Sequence, residues 1–304
     1  MISLIRAMRD DRSMKAITGM SIKAFKLLLI DFEFAYNQIL KQEKEGRERI
    51  RKQGGGRRGK IKELEKKLFF VLIYFKCYPT FDLMGVLFDM DRGRCNKWIH
   101  RRLAKSLEKA LDQKLALPKR KIRSLEEFLQ IFPDAQRIMI DGTERPTQRP
   151  KDKQKQKERY SGKKKRHTIK NLTICDEEKK IKLLTSTKPG SKHDYGMTKE
   201  EEFPNHIPKW VEVHLDNGFE GMDKDYNHLK IFKPKKKPKG KPLPNNQKKR
   251  NTGLSSIRVI VEHAIGGIKR MNIVSNIYRN RVRDFEDQVM LISSGLWNYH
   301  LSTG

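Results

Sequence analysis

The stretch IMIDG at residues 138–142 decides the fold of the larger part of this chain, because it is an apolar run that ends in an acid and a glycine. A short apolar run bounded by a turn signal is typical of a buried strand. A second run, VEVHLD at residues 211–216, alternates apolar and polar residues, as a strand with one buried face does. Both runs therefore predict strands that present a carboxylate at their ends, Asp141 and Asp216.

A third acid, Glu262, lies in a helical pattern that follows these strands. At 100° per residue, one apolar stripe of this pattern is formed by Ile257, Ile260, Val261, Ala264 and Ile268. Arg258, Glu262 and Lys269 fall within about 40° of one another on the flank of that stripe. The alternative interpretation is a surface rib in which Glu262 pairs with Arg258. That interpretation leaves Gly266 and Gly267 unexplained, since each costs roughly 1 kcal/mol in mid-helix.

Two carboxylates at strand ends and one on a helix can converge on a pair of divalent cations. Such a pair of ions is the chemistry that cuts and joins phosphodiester bonds. Each acid alone is a weak indication, because Asp-Gly and Asp-Asn-Gly are also common turns and a lone helical Glu is usually solvated. Taken together, Asp141, Asp216 and Glu262 form the candidate catalytic and metal-binding set.

The composition of the chain favours a polyanionic partner. Lys and Arg total 68 against 37 Asp and Glu, a formal charge of +31. Nucleic acid is the first candidate partner and an anionic membrane surface the second. The longest apolar run, at residues 68–75, is far shorter than the roughly 20 residues of a spanning helix. The N-terminus does not resemble a signal peptide, and three scattered cysteines argue against a disulfide framework or a zinc knuckle. We expect a cytoplasmic protein with no membrane segment.

The acidic runs belong to a series of strands followed by helices, which predicts a mixed α/β (α+β) layer. The first strand begins at Arg137, and further strands are predicted at 167–175, 180–187, 209–216 and 229–232. Helices are predicted at 125–132 ahead of the first strand and at 255–270 and 286–299 behind the last.

The N-terminal part of the chain is predicted to be helical. Ser21 is the predicted N-cap of an apolar helix stripe that extends to residue 39. The charged residues 41–52 and a run of three glycines then form a basic connector. From residue 62 to 117 a second helical group follows, in which Pro79 ends one helix and Thr80 caps the next.

Within this group, a turn at residues 89–93 leads to a basic helix at residues 94–103. Two short helices joined by a tight turn, the second of them basic, form a helix-turn-helix pattern. Trp98 and Leu103 are predicted to face the core. The residues predicted to face DNA phosphates or base edges are Arg94, Lys97, Arg101 and Arg102. The alternative is an ordinary three-helix bundle with a solvated basic face.

Two basic stretches interrupt the predicted sheet. Residues 145–170 hold twelve Lys or Arg and two acids, and residues 233–250 hold nine Lys or Arg, no acids and four prolines. The prolines disfavour helix or strand in the second stretch. Each stretch joins elements that carry a candidate acid, so we predict that both clamp the DNA backbone, the first through Lys163, Lys164, Lys165 and Arg166. Plain solvated loops are the alternative.

Several further motifs complete the pattern. The chain reads DGTE at 141–144, QRPK at 148–151, YSGKKKRHT at 160–168, GSKHD at 190–194 and DNGF at 216–219. In these motifs, over about residues 60 to 300, it resembles the DDE transposases of bacterial insertion sequences, most closely the insertion-sequence-five group and its Harbinger-like relatives. The family's helix signature is Tyr, two spacers, Arg, three spacers, Glu, six spacers and Lys. Arg258, Glu262 and Lys269 match that spacing, whereas Ser255 stands where the family has Tyr.

The resemblance implies an RNase H-like catalytic domain behind an all-α helix-turn-helix domain. It implies that Asp141, Asp216 and Glu262 are the ligands of two Mg²⁺ ions, for which Mn²⁺ substitutes. The implied function is a transposase that binds the end repeats of an insertion sequence and then cuts and joins DNA by hydrolysis and transesterification. In this mechanism Arg258 and Lys269 hold the phosphates beside the scissile bond. Because two ends must be brought together on target DNA, a homodimer or larger oligomer is expected.

These expectations divide the chain into three parts. Residues 1–56 form a helical segment with a basic linker, residues 57–117 the helix-turn-helix domain and residues 118–304 the catalytic domain. One alternative is a non-cleaving DNA-binding regulator derived from a transposase, against which the intact acidic set argues. Another is a basic RNA-binding protein, which would need aromatic stacking platforms, whereas aromatics make up 8% of the chain. For His193 and Asp194, a place near the site and a structural turn are both open.

Overall fold

In a computed structural model, residues 2–43, 45, 60–238, 240 and 242–304 are described, and the chain divides into two compact units. Unit 1 comprises Met1–Leu117, Arg270–Asn276 and Asn280–Gly304, and unit 2 comprises Pro118–Lys269 and Ile277–Arg279. The three glycines of the predicted connector, with the basic residues around them at 46–59, lie outside the described residues.

Fourteen α-helices are found in the described residues, and the described elements of unit 1 are all helical. Their bounds are α1 Leu4–Ala7, α2 Asp11–Thr18, α3 Ile22–Gln42, α4 Leu64–Cys77, α5 Phe81–Phe88, α6 Arg92–Trp98, α7 Ala104–Gln113, α8 Leu125–Ile131, α9 Lys153–Arg159, α10 Asp194–Glu200, α11 Met222–Asp225, α12 Asn245–Lys269, α13 Asn272–Ser275 and α14 Phe285–Thr303. A π-helical turn, Ile99–Leu103, joins α6 to α7. Among the described residues, no helix is both long and apolar enough to cross a membrane.

The helix starts of unit 1 follow the caps predicted from the sequence. The Ser21 hydroxyl accepts a hydrogen bond from the backbone N–H three residues later at 3.2 Å, and the Thr80 hydroxyl does the same at 3.1 Å. Both predicted N-caps are therefore confirmed. Helix α4 ends at Tyr78, whose φ of 48° is left-handed, directly before Pro79. Because the residue before a proline is disfavoured in a helix, the chain breaks there and restarts at α5.

The predicted pair of helices with an intervening turn is present as α5 and α6. Helix α6 begins two residues earlier than predicted, because the Asp91 side chain accepts from the Arg94 N–H at 3.2 Å and caps it. The predicted turn is correspondingly shorter. Leu103 is buried as predicted, but Trp98 is only half-buried, and Cys95 and Ile99 take the core positions of this helix instead.

The last helix, α14, packs against α7 in unit 1. The Asn298 amide donates to the Ala116 carbonyl at 2.8 Å, and the Tyr299 hydroxyl donates to the Ala24 carbonyl at 2.9 Å. The compact units therefore differ from the predicted parts, since residues 270–276 and 280–304 belong with the N-terminal helices. A fragment that ends at Leu117 would lack the helix that covers α7. The division into three functional domains stays a prediction.

Unit 2 is built on a mixed sheet, in which seven strands are found among the described residues. Their bounds are β1 Arg137–Pro146, β2 Tyr160–Ser161, β3 Arg166–Cys175, β4 Ile181–Leu184, β5 Lys188–Pro189, β6 Glu212–His214 and β7 Lys230–Phe232. Strand β3 pairs antiparallel with β1, β2, β4 and β5, whereas β1, β6 and β7 run parallel to one another. The five predicted strands are present as β1, β3, β4, β6 and β7, although β6 is shorter than predicted, and the short strands β2 and β5 were not predicted. The mixed α/β class is confirmed.

The sheet carries helices on both faces. Ile138 and Ile140 lie in a core cluster with Phe128 of α8 and Met197 of α10. Alternate residues of a strand point to opposite faces, so Met139 and Asp141 face the other way. Helix α12 packs on β1, β3 and β6. Its buried residues do not belong to the core cluster of Ile138 and Ile140, so it covers the other face of the sheet. This helix brings the third candidate acid to the sheet.

Two local predictions in unit 2 were wrong, and one helix was not predicted. Strand β1 does not end at Asp141 but continues to Pro146, because it stays paired with the long antiparallel strand β3. Helix α12 begins at Asn245, ten residues before the predicted start, since all four prolines of the second basic stretch precede it. The first basic stretch contains a helix, α9, capped by the Asp152 side chain.

The cap at Thr80 provides a test of the helix-turn-helix packing. Thr80→Ala removes the oxygen that holds the first free N–H groups of α5, so we expect a loss of about 1 kcal/mol in the free energy of unfolding. The measurement is urea denaturation of the full chain. Ser302→Ala is the matched control, because its hydroxyl bonds only within α14 and should change stability little. Equal losses in both variants would contradict the role of the cap.

Candidate functional site

Asp141 and Asp216 are brought together by the pairing of two parallel strands. In the β1–β6 register, Ile138 lies opposite Val213 and Met139 opposite His214, where β6 ends. Continuing this register by two residues places Asp141 opposite Asp216. Strand β1 continues beyond this point while β6 stops, which leaves Asp141 at a gap in the sheet with Asp216 at its rim.

The loop behind β6 turns away at once as a 3-10 helix, Asn217–Phe219. One Asp216 oxygen accepts from the Gly218 N–H at 2.6 Å, and one Asp141 oxygen accepts from the Gly142 N–H at 2.7 Å. Each carboxylate is thus oriented by the backbone of the glycine that follows it. The sequence prediction that these two acids converge is supported by this geometry, although Asp141 lies within a strand and not at its end.

A third carboxylate in this region is that of Asp194, at the start of α10. A Cβ added at Gly142 would lie 2.7 Å from one Asp194 oxygen, and one added at Gly218 would lie 3.1 Å from the other. The same Gly218 position lies 2.8 Å from an Asp216 oxygen. Asp194 therefore lies beside Gly142, which follows Asp141 in β1, and beside Gly218, which lies in the loop after Asp216. Of the two interpretations that the sequence left open, the structure favours a place near the site.

Asp194 is held by a lysine that the sequence did not single out. The Lys170 ammonium lies 3.4 Å from an Asp194 oxygen and donates to the Lys192 carbonyl at 2.9 Å. Its side chain is only 11% exposed. Lys170 is one of twelve Lys and Arg residues in the basic stretch 145–170. The sequence did not indicate which of them is buried.

Glu262 lies apart from this group. It is on α12, its side chain is 57% exposed, and its carboxylate lies 3.8 Å from the Arg258 guanidinium. Within the residues that the structure describes, no three His, Cys, Asp or Glu side chains stand close enough to share one metal ion. Gly266, which suggested a close backbone approach, faces open space.

The electrostatics of the site centre on Asp141. The pKa of its carboxyl is raised to about 6, mainly by burial and then by the nearby Asp216 and, more weakly, Asp194 carboxylates, against the lowering effects of the Gly142 N–H and Arg258. Burial also lowers the pKa of Lys269, with Lys164 acting in the same direction and Asp141 in the opposite one. Arg258 and Lys269 therefore lie within electrostatic reach of Asp141. The donors are carboxylate oxygens that repel one another, a set that fits a hard divalent cation such as Mg²⁺.

The residues predicted to contact DNA fall into two groups. Arg94, Lys97 and Arg101 are exposed on α6 and the π turn, whereas the Arg102 guanidinium is half-buried and lies 2.7 Å from the Glu43 carboxylate. The second group, Lys163, Lys164, Lys165 and Arg166, is exposed at the turn between β2 and β3. Lys165 adopts a left-handed φ of 52° at the tip of that turn.

The raised pKa of Asp141 predicts a pH-dependent effect of Asp141→Asn on stability without metal. Because the folded pKa lies above the ordinary 3.8, folding favours the protonated form, and stability is lost as pH rises from about 4 to about 6. The asparagine variant escapes that loss, which corresponds to roughly 3 kcal/mol at most. We expect its gain in melting temperature to be clear at pH 7.5 and smaller at pH 5.

Thermal denaturation at the two pH values, in chelator-treated buffer, is the measurement. Glu178→Gln is the control, because that carboxylate is exposed and paired with Lys180, and it should show no gain. A gain for Asp141→Asn that is equal at both pH values would contradict the assigned electrostatics.

Comparisons with known proteins agree with the geometry. Residues 140–298 match the family described as DDE superfamily endonuclease, and residues 60–104 match the helix-turn-helix of DDE superfamily endonuclease. The chain is 30% identical over 293 residues to the "Probable transposase for insertion sequence element IS702" of Microchaete diplosiphon, which covers 96% of this chain and 95% of that protein. No solved structure matches.

These matches confirm the resemblance found in the sequence and favour the helix-turn-helix interpretation over a plain three-helix bundle. The described architecture, a helical N-terminal region and a mixed sheet, confirms the predicted RNase H-like catalytic domain behind a helix-turn-helix domain. The chain therefore belongs to the DDE superfamily of endonucleases, as an insertion-sequence transposase.

Proposed function

We propose that this protein binds the end repeats of its insertion sequence and catalyses metal-dependent cleavage and strand transfer of DNA. The observation that carries the proposal is the β1–β6 register, which ends at Met139 and His214 and, continued by two residues, places Asp141 opposite Asp216, whose charge acts on Asp141. Helix α12, which carries Arg258, Glu262 and Lys269, packs on the same strands. In the proposed site, the carboxylates of two neighbouring parallel strands and of the helix packed on them would act on one reacting phosphate.

In this proposal, Asp141, Asp216 and Glu262 hold two Mg²⁺ ions, with Mn²⁺ as a substitute. Bound ions of this kind polarise a phosphodiester, activate the attacking oxygen and stabilise the leaving one. The chain's own residues do the rest. Asp141 would lose the proton that its raised pKa favours, Glu262 would leave Arg258 to serve as a metal ligand, and Arg258 and Lys269 would hold the neighbouring phosphates.

DNA recognition is assigned to the helix-turn-helix domain, residues 57–117, and catalysis to residues 118–304. Arg94, Lys97 and Arg101 are exposed for contacts with phosphates or base edges. Arg102 would contact DNA only after leaving the Glu43 carboxylate. Residues 1–56 are assigned to a helical segment and linker that precede this domain.

The proposed partners are double-stranded DNA at the element's ends and at the target. The basic turn at residues 163–166 supports a clamp on the DNA backbone, because it is exposed and Lys164 lies within electrostatic reach of Lys269. Bringing two ends together requires two catalytic sites, so we propose a homodimer or larger oligomer. We place the protein in the cytoplasm, with the nucleoid DNA on which it would act.

The second candidate function is a non-cleaving DNA-binding regulator. One observation favours it: Glu262 is exposed and paired with Arg258, and no described group of three acids is close enough to hold an ion. The two candidates differ in a single measurable property, which is strand cleavage in the presence of a divalent cation.

We expect Asp141→Ala, Asp216→Ala and Glu262→Ala each to abolish cleavage while leaving DNA affinity largely unchanged, because the phosphate contacts come from basic residues elsewhere. The assay incubates the full chain with duplexes that carry the sequences flanking the gene, plus Mg²⁺ or Mn²⁺, and scores nicks on a gel. Glu178→Ala, an exposed acid, is the control and should cleave like the wild type. Cleavage near the wild-type rate by any of the first three would refute that residue's role, and no cleavage by the wild type would favour the regulator.

The backbone clamp is tested by replacing Lys163, Lys164, Lys165 and Arg166 with Gln. The slope of log K against log salt is about −0.9 per phosphate neutralised, so the slope should flatten by roughly three to four units if all four residues contact phosphate. Specific and random duplexes should weaken about equally, since phosphate contacts carry no sequence information.

The matched control replaces Lys179 and Lys180 with Gln at the turn between β3 and β4, together with Lys182 at the start of β4. That turn lies at the other end of β3, and the variant should keep the wild-type slope. An unchanged slope in the quadruple variant would reduce the first basic turn to a solvated loop and move the clamp to residues 233–250.

A further inference from the structure

Two glycines next to the strand acids leave space that a third carboxylate fills. Gly142 follows Asp141 and Gly218 lies two residues behind Asp216. A Cβ at Gly142 would lie 2.7 Å from Oδ1 of Asp194 and 2.8 Å from its carboxyl carbon, and a Cβ at Gly218 would lie 3.1 Å from its Oδ2. Neither glycine has the left-handed φ that would require glycine for backbone reasons. Proximity of the Asp194 carboxylate is therefore the physical reason for glycine at position 142, whereas at position 218 an Asp216 oxygen is the nearer obstacle and Asp194 the second.

The two oxygens of Asp194 have different surroundings. Oδ1 lies 3.4 Å from the Lys170 ammonium, which is itself anchored to the Lys192 carbonyl at 2.9 Å. Oδ2 lies 3.1 Å from the position that a Cβ at Gly218 would take, and that position is 2.8 Å from an Asp216 oxygen. One oxygen thus lies 3.4 Å from a mostly buried cation, and the other lies close to the glycines that come after the two strand acids.

We propose that Asp194 is a positioning residue of the divalent-cation site, an inference that rests on the proposed function. Its Oδ2 accepts hydrogen bonds from water molecules on a cation held by Asp141 and Asp216, while Lys170 fixes its Oδ1. Mg²⁺ and Mn²⁺ sites in proteins commonly keep several water ligands, and outer carboxylates that hold such ligands contribute to metal affinity. The competing explanation is structural: Asp194 would only fasten α10 to β3 through Lys170.

The first test measures Mn²⁺ binding to the full chain by electron paramagnetic resonance, with no DNA present. Asp194→Asn keeps the size of the side chain and removes its charge, and we expect its Mn²⁺ affinity to fall about 10- to 100-fold. Glu200→Gln is the matched control on the same helix, because its carboxylate pairs with Lys188 and Lys192. Its Mn²⁺ affinity should equal that of the wild type.

The second test displaces the carboxylate without altering it. Gly142→Ala adds a methyl group where the Asp194 carboxylate lies, so it should reproduce most of the loss of Mn²⁺ affinity. Gly196→Ala is the matched control on α10, where an added Cβ meets nothing within 4 Å. Because both changes act on one carboxylate, Gly142→Ala combined with Asp194→Asn should weaken Mn²⁺ binding no more than Asp194→Asn alone.

The outcomes separate this inference from the proposed function. If Asp141→Ala leaves Mn²⁺ affinity unchanged, the proposed metal site itself fails. If Asp141→Ala weakens Mn²⁺ binding but Asp194→Asn does not, and Asp194→Asn only lowers the denaturation midpoint, then Asp194 is structural and the inference is overturned. If Asp194→Asn does not fold, the Gly142→Ala variant decides the question alone. Wild-type Mn²⁺ affinity in Gly142→Ala overturns the inference. A loss of Mn²⁺ affinity in Gly142→Ala that is absent in Gly196→Ala supports it.

Discussion

The parallel register of β1 and β6 is the constraint on which the rest of the site depends. The paired residues end at Met139 and His214, so the next two residues of each strand bring Asp141 opposite Asp216, and the early end of β6 opens the space in front of them. Like charges at such a position are unfavourable in the absence of a counterion, which is why burial and Asp216 together raise the pKa of Asp141 to about 6. The fold therefore maintains an arrangement that destabilises the metal-free chain. Such stored electrostatic cost is typical of functional sites and gives a divalent cation a reason to bind.

The strands and caps of this chain were predictable because they depend on local sequence. The apolar runs at 138–140 and 211–215 specify buried strands, and Thr80 specifies a helix start through a hydrogen bond to its own helix. Elements that depend on distant partners were not. The length of β1 is set by its pairing with β3. The sequence predicts a helix at 286–299 but does not identify α7 as its packing partner.

The candidate site shows the same division. Two acids at the ends of apolar runs could be found by reading along the chain, since the turn and strand signals lie beside them. Asp194 could not be assigned, because its relevance lies in distances to Gly142 and Gly218, which are far away in sequence. Lys170 is one basic residue among many, and only its burial against Asp194 distinguishes it. The glycines after each acid held the missing signal, since they permit turns and also permit a neighbouring carboxylate to approach.

Glu262 is the residue whose observed surroundings differ most from its proposed role. Its contact with Arg258 spans 3.8 Å on an exposed helix face, and exposed ion pairs of this kind contribute only about 0 to 1 kcal/mol. In the proposed site, a divalent cation held by Asp141 and Asp216 would offer Glu262 a stronger partner than a guanidinium screened by water. Once released from Glu262, the Arg258 guanidinium would be free to contact a phosphate. A single change of partner by Glu262 would therefore complete the metal site and prepare the contact with the substrate. The weakness of the Arg258–Glu262 pair is therefore compatible with the proposed activity, because little free energy opposes its rearrangement.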